Sequence, residues 1–200
     1  TWIEDSNGFI NIYEDVKEGY PYVLGGDTAG EGSDWNIGQM IDNVTEHQVA
    51  LLRLNKDEDL YAQQMYCLGK YYNTALIAIE TNFSTHPVKV LTQLRYPKQF
   101  VRESRPDGFS GKTIEVFGFN TNKSTRPDAL GTLRTIVREH SDYIVDQTTL
   151  SEMSVFVINE KGRAEAAQGY NDDLVMSFAQ GLWVRDTALK LRQAGIEINR

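Results

Sequence analysis

Apolar residues in this chain first gather in short runs that close on glycine or an acid. Further along they recur with a helical period. Residues 20–27, YPYVLGGD, form an apolar run ending at two glycines and Asp27, which predicts a buried strand stopping at a turn. Residues 34–42 (DWNIGQMID) and 46–54 (EHQVALLRL) have the same strand-like composition, so the three predict a meander. Residues 1–19 are polar and acidic, with a short strand expected at most in FINIY. They read as an entry segment or linker remnant ahead of a domain spanning residues 20–200.

From Asp57 the period lengthens. DEDLYAQQMYCLGKYYN predicts a helix ending near Asn73, with Leu60, Gln64, Cys67, Leu68 and Tyr71 on or near one face. Acids crowd its start, where the helix dipole favours them. Residues 74–80, TALIAIE, are apolar up to Glu80; such continuity predicts a strand covered on both faces, as in a central parallel position. STHPVKVLTQLR predicts a helix capped by Ser84 or Thr85 with Pro87 in its first turn. Residues 96–122 are rich in Gly, Pro, Lys and Arg and predict a hairpin or loop. TRPDALGTLRTIVREH predicts a helix capped by Thr125, residues 148–169 mix a helix start with a strand or hairpin, and NDDLVMSFAQGLW opens a last helix reaching about Leu191. This order predicts an α/β domain with a central mixed sheet flanked by helices on both faces. Ligands in such domains sit at strand ends.

Composition narrows the function classes. The chain has 200 residues, 40% hydrophobic and 24% charged, which suits one ordinary domain. No apolar run approaches a membrane span, so no membrane partner is expected. The net charge of −8 argues against binding nucleic acid with the whole surface. The distribution is uneven: residues 1–60 hold 13 acids and 3 bases, residues 84–138 hold 10 bases and 4 acids. An acidic cluster could therefore face a basic rim. The single cysteine, Cys67, permits no internal disulfide and reads as a small buried hydrophobe. His47, His86 and His140 are isolated and lack zinc-type spacing.

Four acids share one description. Asp27 and Glu80 end apolar strands, and Asp172 and Asp173 open the last helix. If the strands of Asp27 and Glu80 are parallel neighbours, the two acids lie at one end of the sheet. Carboxylates gathered without bases are stable only when protonated or when cations fill the gap. Oxygen-only ligation selects Mg²⁺ or Mn²⁺, and two such ions form the clamp used in phosphodiester hydrolysis. Each acid also has a plainer reading. Asp27 could start a turn, Glu80 could sit in a buried salt bridge, and one of the Asp pair could cap the helix. Asp34 could be an additional ligand or a turn residue. The pattern G-x-x-x-x-G-K-[ST] is absent, which excludes a nucleotide P-loop.

Taken in order, YVLGGDTAGEGSDWNIGQMID, ALIAIETN, GFNTNKSTRPDAL and GYNDDLVMSFAQGL resemble the C-terminal nuclease domain of the large terminase subunit of tailed bacteriophages. The resemblance covers about residues 20–185. It implies a ribonuclease H-like fold, kin to Holliday-junction resolvases and retroviral integrases. It implies a metal-dependent endonuclease that cuts concatemeric viral DNA at the start and end of packaging. The resemblance places Asp27, Glu80 and one or both of Asp172 and Asp173 as catalytic, metal-binding acids, with Asp34 at an acidic position sometimes implicated beside them. Asn171 stands where many relatives carry His. The implied cofactors are two Mg²⁺ or Mn²⁺ ions. The implied partners are double-stranded DNA, an N-terminal packaging ATPase domain, the portal and the small terminase subunit, in the bacterial host cytoplasm and transiently at the viral prohead. On this reading Lys112, Lys123 and Arg126 are candidates for DNA phosphate contacts. Two other classes remain open at this point: an actin- or sugar-kinase-like nucleotide-binding domain, and a non-catalytic docking module.

Overall fold

The computed structural model describes residues 4–29, 35–106, 108, 112–160 and 162–193. Five strands form the main sheet: β1 (Ile10–Ile12), β2 (Tyr22–Asp27), β3 (Asn36–Asp42), β4 (Gln48–Leu54) and β5 (Leu76–Ile79), in the order β1-β4-β3-β2-β5. The first four pair antiparallel, and β5 joins β2 in parallel with Gly26 opposite Ile79. Within the expected entry segment, residues 10–12 thus add an edge strand. Ile10 pairs with Leu52, and Ile10 packs against the core.

Among the described residues, five α-helices complete the domain: α1 (Glu58–Tyr71), α2 (His86–Gln93), α3 (Thr125–Glu139), α4 (Gln147–Ser154) and α5 (Asp173–Gln193). Alternate residues of the sheet serve two cores, as the period-2 pleat requires. Leu24, Met40, Leu52, Ile77 and Ile79 pack with Tyr61, Met65 and Leu68 of α1 and Leu91 of α2. On the opposite face Ile41 packs with Phe178, Ala179 and Leu182 of α5 and Leu133 and Ile136 of α3, while Val23 and Ala78 meet Phe119 and Val184. Cover on both faces explains why these strands read as unbroken apolar runs.

The buried face of α1 consists of Tyr61, Ala62, Met65, Leu68 and Gly69. It is rotated from the face expected around Leu60, Gln64 and Cys67, and Cys67 is exposed rather than buried. The tyrosines account for the shift. Tyr61 buries its ring and donates its hydroxyl to the Ile37 carbonyl at 2.7 Å, so a polar-tipped residue serves as core. In α3, Thr125 is the first helical residue and not the cap; Asn122 Oδ1 accepts from the backbone N–H of Ser124 and Thr125 instead.

Two further hairpins flank the sheet: β6 (Val101–Pro106) with β7 (Thr113–Phe117), and β8 (Phe156–Ile158) with β9 (Ala164–Ala166). The basic stretch and residues 148–169 thus both contain the hairpins expected of them. Helix α4 is fastened to the sheet by buried amides. Gln48 Nε2 donates to Gln39 Oε1 at 2.7 Å, and Gln39 Nε2 donates to Thr149 Oγ1 at 3.1 Å. Helix α5 lies directly on β2. A side chain at Gly25 would meet the backbone of Ser177 and Gly181.

Candidate metal centre

The parallel pairing of β2 and β5 sets the first two acids side by side. Asp27 is the last residue of β2. Glu80 follows β5, and its backbone N–H donates to the Gly26 carbonyl at 2.8 Å. Its neighbours are pinned from the other side: Phe119 N–H donates to Ile79 O at 2.7 Å, and Thr81 N–H to Phe119 O at 2.9 Å. A four-residue strand therefore ends in a fixed position, and the side chains of Asp27 and Glu80 hydrogen-bond to each other.

The last helix brings the other two. Asp172 occupies the cap position of α5, its carbonyl accepting from Met176 N–H at 2.8 Å, and Asp173 is the first helical residue. Asp27 registers all of them. Its carboxyl is pushed well above the usual carboxylate range by burial first, then by the charges of Glu80, Asp173 and Asp172, and by the hydrogen bond with Glu80. The residue itself keeps partial exposure at the edge of the core. Asp27 thus lies within electrostatic reach of Glu80, Asp172 and Asp173. Asp34 lies outside the described residues.

The first turn of α5 also draws an acceptor from another helix. Glu152 of α4 places Oε2 2.9 Å from the Leu174 nitrogen and accepts its N–H. Sequence reasoning missed Glu152. Its partner is 22 residues away and the contact is tertiary, so no local pattern announces it. Burial pushes the Glu152 carboxyl up to about 7, with the Asp173 charge adding to this and the Leu174 and Val175 amides and Arg53 opposing it. Asp173 thus acts on Asp27 on one side and Glu152 on the other. Its Oδ2 is buried.

Asp172 is differently engaged. Its Oδ2 accepts from Arg126 Nη2 at 2.9 Å, in a pair whose side chains are 17% (Arg126) and 32% (Asp172) exposed. Arg126, a candidate for DNA phosphate contact, makes this ion pair with Asp172 in the structure. Lys123 lines the same cleft as Arg126 and is exposed, and Lys112 is exposed just before β7. A cleft of about 640 Å³ runs past these groups, lined by Glu80, Asn82, Asn122, Lys123, Arg126 and Arg163 among others. Asn82 shapes its floor: Asn82 Oδ1 accepts from Thr121 N–H at 3.1 Å and from Asn120 Nδ2 at 2.5 Å. A larger cavity of about 1100 Å³ borders residues 4–15 and α1 and contains none of the four acids.

The donor set fits a hard divalent cation. All candidate ligands are carboxylate oxygens, and their charges are crowded enough to raise the Asp27 carboxyl, a crowding that a cation would relieve. The set is open, however: among the described residues no three His, Cys, Asp or Glu side chains stand as a ready metal shell. The histidines serve elsewhere. His47 pairs with Glu14 at 3.2 Å, His86 with Asp59 at 2.9 Å, and His140 stacks on Tyr143.

No protein-family model matches the sequence, and no curated protein matches it. Solved structures do. The large terminase nuclease from thermophilic phage G20c aligns over 88% of this chain and 89% of its own, at 19% identity and a TM-score of 0.64. The same nuclease with bound magnesium aligns over 89% and 88%, at 17% identity and a TM-score of 0.69. The large terminase nuclease domain of Thermus phage P74-26 aligns over 88% and 86%, at 18% identity and a TM-score of 0.65. At these identities the likeness establishes the fold: this chain has the ribonuclease H-like α/β fold of large terminase nuclease domains.

Proposed function

We propose that this chain is a divalent-metal-dependent DNA endonuclease that cuts concatemeric viral DNA during genome packaging. The observation that carries the reading is the gathering of Asp27, Glu80, Asp172 and Asp173, from two parallel strand ends and one helix start, with the Asp27 carboxyl raised by burial and by the charges of the other three. Surface acids of a docking module would face water, whereas burial is the largest influence on Asp27. The fold shared with nucleases solved with magnesium and cobalt supports the same reading.

Asp27, Glu80 and Asp173 would hold the cations, Mg²⁺ or Mn²⁺, and Asp172 would join them. The chemistry supplied by two bound cations is activation of the attacking water and stabilisation of the leaving oxygen. The protein's share is placement. Glu152 fixes the first turn of α5, and the Gly26 carbonyl fixes Glu80. The positive end of the α5 dipole eases the crowding of two carboxylates at its start. Lys112, Lys123 and Arg126 would contact duplex phosphate, giving salt-sensitive binding with little base readout. In the complete packaging machine the partners would be a packaging ATPase domain, the portal and the small terminase subunit, in the host cytoplasm and at the prohead.

The test is relaxation and cutting of supercoiled plasmid. Mn²⁺ or Mg²⁺ should support it and EDTA should abolish it. Asp27→Asn and Glu80→Gln should fold and be inactive, and full activity in either would overturn the assignment.

A further inference from the structure

Arg126 stands where the acid cluster meets the cleft. It lies in the first turn of α3, lines the cleft with Glu80, Lys123 and Arg163, and places Nη2 2.9 Å from Asp172 Oδ2. The same nitrogen donates to the Ala164 carbonyl at 3.1 Å. Nε, in contrast, is buried and has no hydrogen-bond partner among the described residues. One nitrogen of the guanidinium carries both bonds while a buried donor goes unused. Arginine reaches its full strength only when two nitrogens grip two oxygens in parallel. The pair with Asp172 is therefore one that a better acceptor can displace.

Position makes this consequential. A guanidinium seated on a carboxylate oxygen competes directly with a cation for that oxygen. Asp172 stands directly before Asp173 at the start of α5 and holds Arg126, and among the described residues no three His, Cys, Asp or Glu side chains form a ready metal shell. The acceptor that would use the arginine fork better is a phosphodiester, which offers two equivalent oxygens. The cleft that Arg126 lines also presents Lys123 and Arg163 to an anionic chain and opens onto Glu80.

We propose that Arg126 is a displaceable clasp on Asp172. Without nucleic acid it holds the carboxylate from a divalent cation. A phosphodiester backbone entering the cleft draws the guanidinium away and releases Asp172 to complete the metal site. Arg126 is thus a positioning residue that couples DNA binding to metal binding, and the inference rests on the nuclease reading above. Linkage makes the coupling reciprocal: DNA tightens metal binding by the factor with which metal tightens DNA binding. Metal would then be held firmly only once the backbone is in place.

The test reads metal affinity, not turnover. Mn²⁺ binding is measured by titration calorimetry on the whole chain, with and without a short DNA duplex. Arg126→Gln should bind Mn²⁺ about fivefold or more tightly than the wild type, the lower end of ordinary coupling. Lys123→Gln makes the same charge change in the same cleft without touching the acid, and should shift the affinity less than about twofold if contact rather than distance matters. The duplex should tighten Mn²⁺ binding in the wild type and not in Arg126→Gln. Should Arg126→Gln fail to fold, Arg126→Lys keeps the charge but loses the fork, and should lie between. A variant that is less stable but binds Mn²⁺ with unchanged or weaker affinity would overturn the clasp and leave a structural ion pair. Mn²⁺ bound by the wild type, lost in Asp27→Asn and indifferent to Arg126 would sink the clasp alone. No binding by the wild type with or without DNA would sink the nuclease reading and the clasp with it.

Discussion

Gly25→Ala tests how closely α5, and with it half of the acid cluster, is seated on the sheet. A Cβ at Gly25 would stand 2.8 Å from the Gly181 nitrogen and 2.9 Å from the Gly181 Cα, and closer still to the Ser177 carbonyl oxygen. These are backbone atoms of a long helix, so no side chain can swing aside. Ordinary contact begins at 3.4 Å, so the helix must retreat by about 0.6 Å even for the Gly181 nitrogen. Overpacking of this kind costs about 1 to 3 kcal/mol, which should lower a urea midpoint by roughly 0.5 to 1.5 M. The same retreat moves Asp172 and Asp173 away from Asp27 and Glu80. Misplacement approaching 1 Å costs on the order of 100-fold in rate, so metal-dependent cutting should fall by about that factor with all four acids intact. Gly181→Ala is the control. Its Cβ would meet the Ile41 Cδ1 methyl at 2.7 Å, but the Gly25 backbone only at 3.5 Å and beyond. A methyl at the end of a side chain can rotate away, and alanine gains up to about 1 kcal/mol over glycine in a helix. Gly181→Ala should therefore be near neutral. If Gly25→Ala is as stable and as active as Gly181→Ala, the close seating of α5 on β2 is wrong.

Glu152→Gln should change how stability depends on pH in metal-free protein. The folded value of about 7 lies above the ordinary 4.5. The contribution of the protonated form is complete below about 4.5 and is lost as pH rises through about 7. Relative to the wild type, Glu152→Gln should gain about 1 kcal/mol between those limits, reduced for partial solvent screening; parallel profiles in denaturant titrations would refute this. Lys123→Ala should weaken DNA binding at all sequences and lower the salt slope by about one unit, read by fluorescence anisotropy at several salt concentrations; an unchanged slope would remove Lys123 from the interface. Cys67, being exposed, should react with a thiol reagent in the native protein within minutes, and protection until denaturant is added would restore the buried reading.

Legible in the sequence are the features written in local runs. Strands β2 and β5 announce themselves because both faces are covered, and Asp27 and Glu80 stand out because each closes such a run. Their convergence follows from one topological fact, the parallel pairing of β2 with β5, which the sequence could pose only as a condition. Other features are tertiary. Glu152 sits in the unremarkable stretch TTLSEMS and matters only because buried Gln39, Gln48 and Thr149 hold α4 beside α5. Arg126 looks like an outward base until the α3 start is laid against Asp172. The rotated face of α1 was hidden because Tyr61 and Tyr72 count as amphipathic side chains yet bury their rings, with hydroxyls bonded to the carbonyls of Ile37 and Glu14.

The most direct measurement is diffraction from a crystal soaked in Mn²⁺, read through the anomalous signal of the metal. The expected result is density enclosed by Asp27, Glu80 and Asp173, with Asp172 drawn in when nucleic acid occupies the cleft. Mn²⁺ bound elsewhere with these four carboxylates left metal-free at saturating concentration, with and without DNA, would contradict it.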